Sequence, residues 1–121
     1  STSRGRFEAY QKYEKAINEG KSLIIFPEGG IVSKNPPQMG RFKDGAFKTA
    51  ILKQIPVIPV TIPYNWIILP DDGSYRLFWH RCKVIYHQPI STEGMDIDQM
   101  DTLKDRVHQV IADELRKQLD K

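Results

Sequence analysis

Two short stretches of this 121-residue sequence carry residues whose types and spacing could do chemistry. The first is Leu23-Ile24-Ile25-Phe26-Pro27-Glu28-Gly29-Gly30, an apolar run that stops at a proline and is followed by a carboxylate and two glycines. The second is Met39-Gly40-Arg41-Phe42-Lys43-Asp44, which leads into a predicted helix. Glu28 is suited to accepting hydrogen bonds from the hydroxyls of a polyol, or to orienting another catalytic group. Lys43 beside a helix N-terminus offers a cation and free backbone N–H groups, which suits a phosphate. Gly29 and Gly30 permit backbone conformations closed to other residues and let a ligand approach the main chain. Alone, residues 23–30 read first as a strand and a tight turn with Glu28 solvated. Together with Lys43 they describe a site for a phosphorylated polyol.

Other candidate groups are weaker. His108-Gln109-Val110-Ile111-Ala112-Asp113 fits a His-x4-Asp pattern. Residues five apart on a helix lie about 140° apart round the axis, so the two do not face each other. The pair is expected on the solvated side of the last helix, with no catalytic role. His80, Cys82 and His87 match no common zinc spacing and read as ordinary strand residues, so no metal is expected. The sequence has no Ser-His-Asp elbow, P-loop or dinucleotide fingerprint, and no cofactor is expected.

The elements that must position Glu28 and Lys43 follow from patterning. Residues 6–19 read as a helix, with Phe7, Tyr10 and Ile17 at helical spacing and Gly20 as its stop. Residues 22–26 read as a short buried strand, which Pro27 ends because it cannot donate to a ladder. Glu28 would then lie just past the strand's C-terminal end, where open α/β sheets bind ligands. Residues 31–42 form a loop around Asn35-Pro36-Pro37. Asp44 is a natural N-cap or first-turn acid for a helix over 45–53 that buries Phe47 and Ile51. Residues 56–63 read as a second buried strand, in which Pro59 needs an unpaired N–H or a bulge. Strand, loop, helix and strand make a βαβ unit, whose strands should be parallel. Further strands are expected over 75–78 and 81–87. A closing helix over 99–119 has Leu103, Val107, Val110, Ile111, Leu115 and Leu119 as its apolar stripe.

Composition bounds the classes. The sequence is 40% hydrophobic and 27% charged, as in an ordinary globular domain. No apolar run approaches the roughly 20 residues of a membrane span. The single cysteine, Cys82, cannot form an intrachain disulfide. The net charge of +3 is uneven, with residues 1–53 at +5 and residues 54–121 at −2. The basic half holds Glu28 and Lys43, which suits an anionic ligand or an anionic membrane surface. No motif for nucleic acid accompanies the charge, so none is expected as a partner. The N-terminus is polar, resembles no signal peptide and lacks an initiator methionine, which reads as the loss of an upstream portion.

At this point the sequence resembles the glycerolipid acyltransferase family, over nearly its whole length. Ile25-Phe26-Pro27-Glu28-Gly29 is similar to the family's third motif, which helps bind the glycerol-phosphate acceptor. Pro56-Val57-Ile58-Pro59-Val60 is similar to its fourth motif, and Phe42-Lys43-Asp44-Gly45-Ala46 to the lysine-glycine segment between them. Where the family continues its third motif with threonine and arginine, this sequence has Gly30 and Ile31. A phosphate-binding arginine is therefore missing or replaced by Arg41 or Lys43. No histidine precedes Glu28, so the family's His-x4-Asp base motif is not in this chain. The second motif's arginine falls before residue 1, or at Arg4 or Arg6.

The resemblance implies an α/β fold: a mixed, partly parallel sheet with flanking helices, truncated at the N-terminus, in which residues 1–121 are the C-terminal portion of one domain. It implies transfer of an acyl group from acyl-CoA or acyl carrier protein to a lysophospholipid or glycerol phosphate, at the cytoplasmic face of a membrane. The chain itself is expected to be a soluble, inactive piece. Phe26, Pro27, Glu28, Gly29, Gly30, Arg41 and Lys43 would bind the acceptor, with no catalytic base among them. The alternative is a complete, non-catalytic module that binds anions or a membrane surface.

Overall fold

The computed structural model describes residues 2–29, 38–70 and 73–120. Helix α1 spans Ser3–Asn18. Thr2 caps it, its Oγ1 accepting the Gly5 N–H at 3.1 Å. It ends in a Schellman motif, with Gly20 at φ 77°. There Gly20 N–H donates to Ile17 and Lys21 N–H to Ala16. Helix α2 spans Gly45–Lys53, α3 Asn65–Ile68 and α4 Met100–Leu119. A 3-10 turn over Ile97–Gln99 leads into α4 through a capping box between Asp96 and Gln99.

The core joins α2 to α4. Phe42, Phe47, Ile51, Ile90, Leu103 and Val107 are buried together, with Met39, Val57 and Ile111 packed on them. The α4 stripe is deepest at Leu103, fully buried, and opens toward Leu119, which is half exposed. Buried Thr92 donates to the Ile55 carbonyl at 2.7 Å and is in contact with the Ala50 carbonyl at the end of α2.

The sheet differs from the expected partly parallel one. Its two described strands, β1 (Val60–Thr61) and β2 (Ile85–Tyr86), are antiparallel. An isolated antiparallel bridge joins Val57 to Ile90. From that bridge to the Val60–Tyr86 pair, three steps over 57–60 face four over 86–90, so the extra residue lies on the 86–90 side, opposite Pro59. Residues 21–26 form no ladder, though burial over 22–26 alternates as in an extended chain. Ile24 is 92% and Phe26 74% exposed, so the run expected as a buried strand lies open. An extended segment becomes a strand only where another backbone lies about 4.8 Å away, and no described residue supplies one. For the same reason residues 75–78 make no strand, Phe78 donating instead to the Ile68 carbonyl. No helix among the described residues is long and apolar enough to cross a membrane.

Candidate functional site

The corner at Phe26–Gly29 closes by a hydrogen bond from Gly29 N–H to the Phe26 carbonyl at 3.0 Å, with Gly29 at φ 73°. That left-handed conformation is costly for any residue with a Cβ. Two further bonds fasten the corner to the approach of α2. Glu28 Oε2 accepts the Gly40 N–H at 2.7 Å. The Pro27 carbonyl accepts the Lys43 N–H, also at 2.7 Å. Pro27, which could not extend a ladder through its nitrogen, serves through its oxygen.

The Lys43 side chain lies directly over Gly29. A Cβ at Gly29 would stand 2.7 Å from Lys43 Cε and Nζ. Gly29, the first of the two glycines, therefore makes room for Lys43, where the sequence had suggested room for a ligand. Among the described residues Lys43 makes no ion pair, so its charge is open to an anion. The structure thus brings Pro27, Glu28, Gly29 and Lys43 together, with Phe26 exposed at the rim. Gly30 lies outside the described residues.

Arg41 lines a cleft of about 450 Å³ on the α4 side, with Phe42, Asp101, Lys104, Asp105 and His108. His108 is half-buried and its ring lies 4.7 Å from that of Phe42, which corrects its expected place on the solvated side of the helix. Asp113 is exposed and accepts from Gln109 at 2.6 Å.

Sequence reasoning missed Lys104. Its side chain is only 9% exposed, and its Nζ stands 2.6 Å from Asp44 Oδ1 and 3.3 Å from Asp101 Oδ1. The hydrogen bond to Asp44 raises its pKa above the usual lysine value against the opposing effect of burial, and Asp101 adds to the rise. A signal existed in the spacing: Lys104 and His108 are four apart and flank the Leu103–Val107 stripe, on the edge of the buried face. Asp44, expected to cap α2, sits at the N-cap in αR geometry and makes no capping bond.

His80, Cys82 and His87 have separate duties. His87 Nε2 hydrogen-bonds Thr61 Oγ1 at 2.7 Å, His80 lies against Tyr64, and Cys82 is exposed. Among the described residues no group of three or more such side chains could hold a metal ion.

The family profile described as Acyltransferase matches residues 2–63. The chloroplastic 1-acyl-sn-glycerol-3-phosphate acyltransferase BAT2 of Brassica napus is 29% identical over 94 residues, 78% of this chain and 27% of that protein. The 1-acyl-sn-glycerol-3-phosphate acyltransferase of Saccharomyces cerevisiae is 28% identical over 116 residues, 92% of this chain and 38% of its own length. The alpha form from Mus musculus is 32% identical over 101 residues, 75% of this chain and 31% of its own length. The chain thus spans between a quarter and two-fifths of these relatives. No solved structure matches it significantly.

Proposed function

Since this chain belongs to the Acyltransferase family, we propose that it forms the acceptor-binding part of an enzyme of phospholipid biosynthesis. The enzyme moves an acyl group from acyl-CoA or acyl carrier protein to a lysophospholipid or glycerol phosphate. One observation carries this reading: the ammonium of Lys43, without an ion pair among the described residues, lies over Gly29, next to Glu28, whose carboxylate accepts a backbone N–H. A phosphate would pair with Lys43. Glu28, with one oxygen held by Gly40, keeps its other oxygen for an acceptor hydroxyl.

A base outside these residues takes the proton of the acceptor hydroxyl. The oxygen attacks the thioester carbonyl, and the thiolate leaves. This chain's task is to bind and orient, which lowers the entropic part of the barrier. In the whole enzyme residues 21–26 pair as a strand parallel to residues 56–63, and Glu28 projects from its C-terminal end. The chain alone is inactive.

Titration with sn-glycerol 3-phosphate tests the site. Saturable binding by the 121-residue chain, lost in Lys43→Met, is expected. Equal binding by Lys43→Met would refute the assignment.

A second reading rests on another surface. Tyr75 and Trp79 are almost wholly exposed, Leu77 is largely so, and Arg76 lies among them. Trp79 also lines an apolar cleft with Trp66, Ile67, Pro70 and Phe78. Aromatic and basic residues together suit the headgroup layer of an anionic membrane. Vesicles containing phosphatidylserine discriminate. Salt-sensitive binding without glycerol phosphate binding would favour a membrane-surface module over an acceptor site.

A further inference from the structure

We propose that Lys104 is a positioning residue for the acceptor corner: by holding the Asp44 carboxylate on α4, it keeps that negative charge away from the phosphate and fixes Lys43 over Gly29. The inference rests on the acceptor-binding reading of Lys43.

Three observations carry it. Asp44 follows Lys43 directly and stands where a helix cap belongs, yet its side chain makes no capping bond. An aspartate there ordinarily accepts N–H groups of the first helical turn, the same groups that would face an anion. Here the carboxylate is turned sixty residues along the chain to Lys104, at 2.6 Å. Lys104 is nearly buried whereas Asp44 is about half exposed, so the lysine is the fixed partner and the aspartate the one held. Lys104 is itself fixed, being adjacent to fully buried Leu103 and within 3.3 Å of Asp101. Arg41, Asp105 and His108 complete the charged and titratable lining of that cleft.

Lys43 is consequently held from both sides. Its own N–H is on the Pro27 carbonyl, and the residue after it is tied to α4. Phe42 before it is buried in the core. Without the Lys104 ammonium, Asp44 is free to swing back onto the start of α2. There it would compete with a phosphate for the amides and for the Lys43 charge.

The test compares the 121-residue chain with its Lys104→Met, Lys104→Arg, Asp44→Asn and Lys104→Met/Asp44→Asn variants, titrated with sn-glycerol 3-phosphate and followed by exchange of the Lys43 amide. Lys104→Met is expected to weaken binding by about fivefold or more, as for a lost charge contact. Lys104→Arg should largely retain it. In the double variant binding should return to the Asp44→Asn level, because the competing carboxylate is gone. Exchange at Lys43 should quicken in Lys104→Met while that at Ile51 in the core stays unchanged. A double variant as weak as Lys104→Met would overturn the charge-steering inference. Equal Lys43 exchange in Lys104→Met and the unaltered chain would overturn the positioning. Absence of binding by the unaltered chain would instead sink the acceptor-site reading and leave Lys43 exchange to decide the positioning.

Discussion

The Glu28 carboxylate accepts the Gly40 N–H at 2.7 Å across twelve residues of sequence. The proposed acceptor ligand is therefore also the clasp that closes its own loop. Glu28→Ala removes an acceptor and leaves a part-buried N–H unpaired. It should cost about 1–2 kcal/mol of stability in urea unfolding and weaken glycerol phosphate binding. Glu28→Gln keeps an acceptor oxygen and should restore stability without restoring the charge. Equal stability in all three chains would show that the bond contributes nothing.

Gly29→Ala tests the close approach of Lys43. The left-handed conformation at Gly29 should cost about 1–2 kcal/mol with a side chain, and the new Cβ would displace Lys43 Cε and Nζ, now 2.7 Å from where it would stand. The flexible end of the lysine can move away, so the chain should fold but bind glycerol phosphate poorly. Binding unchanged from that of the unaltered chain would mean that the position of the ammonium is immaterial.

Lys104 gives stability a specific pH dependence. Its pKa is raised in the folded chain by the hydrogen bond to Asp44. The folded state therefore holds this proton more tightly than the unfolded state does. The contribution is complete below the unfolded lysine value of about 10.4 and is lost as pH rises through the higher folded value. Urea midpoints between about pH 9 and pH 12 should fall more steeply for the unaltered chain than for Lys104→Met. Parallel slopes would refute the pairing.

Leu103 is fully buried where α4 meets α2. Leu103→Ala should cost about 2–5 kcal/mol, a large share of the stability of so small a domain. A change in melting temperature of only a degree or two would mean that α4 does not carry the core.

Much of this was legible in the sequence. Local rules placed α1 and its Gly20 stop, α2 and α4, because capping and periodicity act within a few residues. The corner at Pro27-Glu28-Gly29 was legible too, since proline and glycine restrict their own backbone. Strand pairing was not. Residues 21–26 and 75–78 carry the composition of strands, yet a ladder needs a second backbone alongside, and composition does not say which one.

By itself, then, the sequence determined the helices, the turn that carries Glu28, and the placing of Lys43 at the head of α2. Only the tertiary structure decided what those groups face. It set Lys43 over Gly29, Glu28 on Gly40, Asp44 on Lys104 and His108 against Phe42. Each of these contacts joins residues twelve or more apart in the chain. No local preference specifies them, and they arise from the packing of α4 across α2 and of the Phe26–Gly29 corner against Gly40 and Lys43.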